Sequence, residues 1–195
     1  MKHMNDLKLY MVIIGCTPPG RFTEQHDVFF GIGNSLRELI PQINAFWKEA
    51  EDSIHIDAWR EIKTVDDYVA HITEKQNAGV DEERTRLFFI NLGGYKENEF
   101  EEYHYKIVTA AKDKGEAVRN SKQTAFYRHC GFRGAESHID DKYGIDVDDL
   151  YEIEDILPAE IKEKYSISLS ETNNSQPDEL HIGYLMISKL QNSNL

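Results

Sequence analysis

Residues 9–15 read LYMVIIG and residues 87–93 read LFFINLG, so one apolar motif ending in glycine occurs twice in the chain. A continuous apolar run that stops at a glycine is typical of a buried strand entering a loop. The pattern Phe-x-Glu-x-His then follows at the same distance in both places, at residues 22–26 and 100–104. A repeat of this length indicates one structural unit that was duplicated and then diverged.

Two shorter matches extend the repeat toward the C-terminus. The tripeptide His-Ile-Asp occurs at residues 55–57 and 138–140, and Val-Asp-Asp occurs at residues 65–67 and 147–149. In this alignment, residues 138–140 of the second copy are equivalent to residues 55–57 of the first.

The segment after the first motif is predicted to be a helix. Apolar residues recur at three-and-four spacing between residues 28 and 47, which favours one helix face. Pro41 should kink this helix or split it at Ile40. Residues 54–62 alternate like a strand, and residues 68–72 suggest a shorter one.

The second copy is predicted to repeat this plan. It has a strand at residues 87–92, a helix at residues 102–127 that Gly115 weakens, and strands near His138 and Tyr151. We therefore predict an α/β fold of two strand-helix-strand units, with the right-handed parallel crossover that such units favour.

The domain organisation follows from the repeat. We expect both units to share one mixed sheet covered by helices, and the chain to form one compact body. The predicted segments are repeat unit 1 at residues 5–72, a linker at 73–86, repeat unit 2 at 87–158, and a C-terminal helix, loop and edge strand at 159–195.

Composition excludes several functions. The formal net charge of −13 argues against binding nucleic acid or an anionic membrane through a general basic surface. The apolar run at residues 9–14 is too short to span a membrane. The two cysteines occupy positions that do not match between the copies, so we expect no disulfide framework and a cytoplasmic protein.

The main candidate site is a set of histidines and carboxylates that both copies contain. Such groups can bind Zn²⁺ or another divalent ion, or serve as a general base with its orienting acid. A histidine bonded to a carboxylate can equally fasten a loop to a sheet, and no HExxH or CxxC spacing marks a metal site, so the alternatives stay open. The residues are Glu24, His26, His55 and Asp57 in the first copy, and Glu102, His104, His138 and Asp140 in the second.

Three further candidates, Cys16, Arg21 and Arg60, belong to the first copy alone and would mark an asymmetric site. The loop from Gly15 to Phe22 has phosphate-loop spacing, but two prolines remove backbone donors that a phosphate cradle needs. Arg21 at a helix N-terminus would still bind an anion. Beside Arg21, Cys16 would form a stabilised thiolate, with Cys130 as its rival.

These motifs resemble a known family. Residues 9–32 (LYMVIIGCTPPGRFTEQHDVFFGI), residues 55–68 (HIDAWREIKTVDDY) and residues 138–158 (HIDDKYGIDVDDLYEIEDILP) are similar to a bacterial family called domain of unknown function 1543. The resemblance implies one or two copies of the unit per chain, here in tandem. It implies no activity, cofactor or catalytic residue.

Two functions remain. The first is a non-enzymatic module that binds a small ligand or a protein partner, with a homodimer as one arrangement. The second is a small metal-assisted hydrolase built on the Glu-x-His and His-x-Asp pairs. The lack of a recognised nucleophile or metal motif favours the first, with no cofactor expected and a divalent metal left open.

Overall fold

The computed structural model divides the chain into two compact units. Unit 1 comprises Met1–Gln76 and Leu157–Leu195, and unit 2 comprises Asn77–Ile156. The residues it describes are 6–75, 83–95, 98–123 and 146–192.

Unit 1 consists mainly of antiparallel strands in two sheets, with strand orders β10-β3-β1-β2 and β4-β5-β9. A 3₁₀ turn (Leu36–Leu39), helix α1 and a second 3₁₀ turn (Lys48–Ser53) connect β2 to β3. The remaining elements are β1 (Lys8–Cys16), β2 (Gln25–Gly33), α1 (Ile40–Phe46), β3 (His55–Ile62), β4 (Thr64–Val65), β5 (Tyr68–Glu74), α4 (Ala159–Lys164), β9 (Tyr165–Glu171), β10 (His181–Met186) and α5 (Ile187–Leu190).

Unit 2 contains one three-stranded sheet with the order β7-β6-β8. Its core includes Phe88, Ile90 and Leu92 of β6, packed against Ala117 of α2. The elements are β6 (Arg86–Tyr95), β7 (Glu102–Ala111), α2 (Lys114–Ser121), β8 (Asp146–Glu152) and α3 (Ile153–Ile156).

The helix predicted over residues 28–47 is wrong in its first part, because β2 extends to Gly33. Phe29, Phe30 and Ile32 are all buried there. A strand buried on both faces gives a short apolar run that periodicity alone cannot distinguish from a helix face. The helix does begin at Ile40, with Pro41 in its first turn, where a proline costs no hydrogen bond.

The helix predicted over residues 102–127 is also wrong in its first part. Residues 102–111 form β7, and α2 begins only at Lys114. Asp113 caps this helix, since its side chain accepts a hydrogen bond from the backbone N–H of Glu116. Residues 124–127 of the predicted helix lie outside the described residues.

The predicted parallel crossovers and the shared mixed sheet are also wrong for the described residues. All their strand pairs are antiparallel, and the strands form three separate sheets. The cause is β2, which follows β1 after a short loop and therefore has to pair with it as a hairpin.

An extra residue interrupts the pairing of β1 with β3. Ile14 pairs with Ile56, and Ile13 pairs with Ala58, so Asp57 has no partner of its own and forms a β-bulge. A bulge bends its strand and turns the side chain of the extra residue in a new direction.

Unit 2 has a bulge at the corresponding place. Leu92 pairs with Val147, and Asn91 pairs with Asp149, so Asp148 is the extra residue of β8. In both units the bulge lies just before the glycine that closes the apolar motif of the first strand.

The register also shows which described residue of unit 2 lies opposite the motif glycine. By its pairing with Gly93, Asp146 occupies the position that His55 has in unit 1. The residues predicted for this place, His138 and Asp140, lie outside the described residues. The match of residues 65–67 to 147–149 is wrong, because residues 147–149 belong to β8 and pair with β6, whereas Val65 belongs to β4.

No helix among the described residues has both the length and the apolar character that crossing a bilayer requires.

Candidate functional site

The four first-copy candidates meet on one face of the sheet, around Gly15. In the register of the sheet, Gly15 pairs with His26 of β2 on one side and with His55 of β3 on the other. Glu24 stands just before β2, two residues from His26, and Asp57 is the bulge residue of β3. Neighbouring positions on antiparallel strands share a face, so the register brings these side chains together.

Each imidazole of this cluster lies between the same two carboxylates. The Nε2 atom of His55 is 2.9 Å from Oε1 of Glu24 and 3.4 Å from Oδ1 of Asp57. The Nε2 atom of His26 is 3.5 Å from Oε2 of Glu24 and 3.3 Å from Oδ2 of Asp57. The four side chains therefore direct nitrogen and oxygen atoms to one small volume.

Two polar atoms of this cluster do not form the hydrogen bonds by which a histidine would fasten a loop to a sheet. Nε2 of His55 and Oδ2 of Asp57 are both buried, yet neither has a hydrogen bond within the described chain. Although Nε2 of His55 is only 2.9 Å from Glu24, this contact lacks the direction that an N–H donor requires. Buried polar atoms without a hydrogen bond are rare and point to an ion or water at the site.

Gly15 leaves the space in which the cluster converges. A Cβ atom at this position would lie 2.7 Å from Nε2 of His55, 2.8 Å from Oδ2 of Asp57 and 3.0 Å from Cδ2 of His26. A side chain here would displace the polar atoms themselves. The glycine is thus required by the close approach of the side chains above it.

The site combines one buried imidazole with side chains that are exposed to solvent. The side chain of His55 is 6% exposed, whereas those of Glu24 and His26 are 44% and 45% exposed. The ring of Tyr184, on β10, packs on the His55 imidazole with 4.4 Å between centroids. This contact restricts the His55 ring, whereas the side chains of Glu24 and His26 are open to solvent.

The other first-copy candidates lie apart from this arrangement. Cys16 is buried, and burial raises the pKa of its thiol, an effect that outweighs the hydrogen bond from Ser53. A raised pKa disfavours the stabilised thiolate that the sequence suggested. Arg21 is exposed in the loop before β2, and since a strand follows it, the helix N-terminus expected for anion binding does not exist there.

Arg60 contacts groups outside the cluster. Its guanidinium lies 3.9 Å from Oδ2 of the buried Asp178 and 3.7 Å from Sδ of Met11. The neighbouring Trp59 stacks on His181 at 3.7 Å, with 7° between the ring planes. These contacts tie β3 to the C-terminal part of unit 1 and leave Arg60 away from the site.

Unit 2 holds a smaller cluster. Glu102, His104 and Asp148 each offer one ligand atom, and these atoms lie within 4.8 Å of one another. Nε2 of His104 is 3.3 Å from Oδ2 of Asp148. Sequence reasoning selected Glu102 and His104 but missed Asp148, which the register of β8 places at the bulge beside Gly93.

Comparison with known proteins supports the family and the fold. Residues 21–72 match the model of a family described as Domain of Unknown Function (DUF1543). Among solved structures, the chain is similar to that of a protein Il1583 from Idiomarina loihiensis, with a TM-score of 0.60 and 24% identity over 93% of this chain and 98% of that chain. No curated protein matches.

At 24% identity, the likeness to the solved structure shows the fold alone. The family match spans all four residues of the unit 1 cluster, from Glu24 to Asp57. This match supports the relationship to the DUF1543 family that the sequence motifs indicate.

Proposed function

We propose that unit 1 binds a divalent transition-metal ion, of the Zn²⁺ class, through Glu24, His26, His55 and Asp57. The observation that carries the proposal is the convergence of two imidazole nitrogens and two carboxylates without hydrogen bonds at His55 Nε2 and Asp57 Oδ2. The ion is then the small ligand of a binding module.

Three of these residues place ligand atoms close enough together to share one ion. Ligand atoms about 2.0–2.2 Å from Zn²⁺ at tetrahedral angles lie roughly 3.3–3.6 Å from each other. One ligand atom from each of Glu24, His26 and His55 lies within 4.8 Å of the other two, and the imidazole–carboxylate separations that involve Asp57 are 3.3 and 3.4 Å. Imidazole and carboxylate are also the ligands that borderline-soft divalent ions accept.

The charge of the cluster favours a cation as well. Its two carboxylates supply negative charge that a divalent ion would balance. An imidazole whose proton is on Nδ1 presents a lone pair at Nε2, as metal binding requires, and donates no hydrogen bond from that atom. The overall charge of −13 adds to the local attraction for cations.

Zinc retention tests the proposal. The full chain is stripped with a chelator, loaded with Zn²⁺ and dialysed, and metal content is measured together with affinity against a competing chelator. We expect His26→Ala and His55→Ala to weaken Zn²⁺ binding by at least about 100-fold, since loss of an outer-shell partner alone costs 10–100-fold.

His71→Ala is the matched control, because His71 lies exposed on β5 with its Nε2 2.8 Å from Oγ of Ser170. It should retain the wild-type affinity. The proposal fails if the two site variants hold as much zinc as this control.

A metal-assisted hydrolase is the second candidate, favoured by the exposure of Glu24 and His26, which gives water and substrate access to the ion. In this version three residues hold the metal and Asp57 accepts a proton from the attacking water. Zinc-loaded protein should then hydrolyse p-nitrophenyl esters, and Asp57→Asn should remove turnover while zinc stays bound. Turnover no faster than that of free Zn²⁺ would dismiss the enzyme.

We also propose that the two units arose by tandem duplication. The support is the common order of a hairpin flanked by a third antiparallel strand, with the bulge before the same glycine in each sheet. A protein partner, a homodimer and a cytoplasmic location stay predictions from the sequence.

A further inference from the structure

We propose that unit 2 contains a second, independent cation site formed by Glu102, His104 and Asp148, and that it takes a harder ion of the Mn²⁺ class. This inference rests on the geometry of unit 2 and does not depend on metal binding in unit 1.

The strand register of unit 2 places histidine and carboxylate residues as the register of unit 1 does. Gly93 pairs with His104 of β7, as Gly15 pairs with His26 of β2. Glu102 stands two residues before His104, and Asp148 is the bulge residue of β8. Three ligand types therefore occur at positions that correspond to those of the unit 1 cluster.

Gly93 leaves space above it for a carboxylate. A Cβ atom at this position would overlap Oδ2 of Asp148 and lie 2.8 Å from its Cγ. The Asp148 carboxylate thus lies directly over the glycine, where Oδ2 reaches Nε2 of His104 at 3.3 Å. As at Gly15, the missing side chain gives the carboxylate its place beside the imidazole.

The ligand types of unit 2 favour a harder ion than those of unit 1. The residue that pairs with Gly93 in β8 is Asp146, where unit 1 has His55. Unit 2 therefore offers the single imidazole of His104 beside the carboxylates of Glu102 and Asp148, and neither His104 (37% exposed) nor Asp148 (32% exposed) is buried as His55 is (6% exposed). Carboxylate and water ligands suit Mn²⁺, Mg²⁺ and Ca²⁺, whereas paired imidazoles suit zinc.

Mn²⁺ titration followed by electron paramagnetic resonance tests the proposal, because bound Mn²⁺ loses the sharp signal of the free ion. The full chain carries His26→Ala, so that the unit 1 cluster is disabled. We expect about one equivalent of Mn²⁺ to remain bound, and Asp148→Asn in this background to remove it. Glu102→Gln, at an exposed position, should weaken binding at least about tenfold.

The matched control is Asp149→Asn. Asp149 is the next residue of β8, and its Oδ2 lies 3.3 Å from the side-chain amide of Asn91. It changes the net charge by the same amount as Asp148→Asn and should leave Mn²⁺ binding intact.

Equal Mn²⁺ binding by the Asp148→Asn and Asp149→Asn variants would overturn the proposal, because it would reflect charge alone. Mn²⁺ binding that is retained in both the Glu102→Gln variant and the Asp148→Asn variant would also overturn it. Failure of zinc retention in unit 1 leaves these readings unaffected, so the two proposals fail separately.

Discussion

Replacing Gly15 by alanine tests the convergence of the unit 1 side chains without removing any of them. The added Cβ would lie 2.7 Å from Nε2 of His55 and 2.8 Å from Oδ2 of Asp57. To restore a non-bonded contact of about 3.5 Å, each atom has to retreat by about 0.7–0.8 Å. A working site tolerates about 0.5 Å of misplacement.

The expected result is a loss of Zn²⁺ affinity of about 10–100-fold, or about 1.4–2.7 kcal/mol, which is the usual effect of disturbing ligand orientation. Competition with a chromophoric chelator measures the affinity, and thermal unfolding without metal measures stability. Overpacking should lower the free energy of unfolding by about 1–3 kcal/mol.

Gly33→Ala is the control for overpacking. Gly33 lies at the other end of the same hairpin, paired with Lys8, and its Cβ would be 3.2 Å from Glu38 and Leu39. It should affect stability alone. If the folded Gly15→Ala protein bound Zn²⁺ as tightly as Gly33→Ala, the convergence would not be a metal site and the reasoning would be refuted.

Three further predictions concern other residues. Burial and the Glu61 carboxylate raise the pKa of Tyr10 from 10.0 to about 12, so the unfolded chain ionises first and stability should fall between about pH 10 and 12; Tyr10→Phe should reduce this loss in alkaline denaturant titrations, and an unchanged loss would contradict it. Asp113→Ala should lower the free energy of unfolding by about 1 kcal/mol in urea melts, because it removes the α2 cap, whereas Asp113→Asn should retain most of it. In a Cys130→Ser background, the raised pKa of Cys16 should make iodoacetamide alkylation at pH 8 slower than that of a free thiol, and an equal or faster rate would count against burial of this thiol.

The apolar motif and the alternation of β3 could be predicted because buried strands show directly in the residue pattern. Residues 28–33 were assigned to a helix because Phe29, Phe30 and Ile32 satisfy both a helix face and a doubly buried strand. Only pairing with β1, a tertiary contact, decides between them. With the strand assignment, the parallel crossover gives way to a hairpin.

The residue types of the candidate cluster could be predicted from the sequence, but the geometry of the cluster could not. Glu24, His26, His55 and Asp57 stand out as repeated polar pairs, and the sheet places them together. A simple strand would set alternate side chains about 7 Å apart. The bulge at Asp57 instead brings its carboxylate to 3.4 Å from His55, and no local sequence signal marks a bulge.

Asp148 was missed from the second cluster for a different reason. The tripeptide at residues 138–140 is identical to residues 55–57, so sequence comparison aligns these two segments. The strand register assigns the corresponding positions to Asp146 and Asp148. Letter identity over three residues carries less information than the pairing of a whole strand.

X-ray absorption at the zinc edge, on chain loaded with one equivalent of Zn²⁺, tests the central claim most directly. We predict about two imidazole nitrogens and carboxylate oxygens at about 2.0–2.2 Å from the zinc, with the imidazole scattering halved in His55→Ala. A spectrum of oxygen ligands without imidazole scattering, unchanged in that variant, would contradict it.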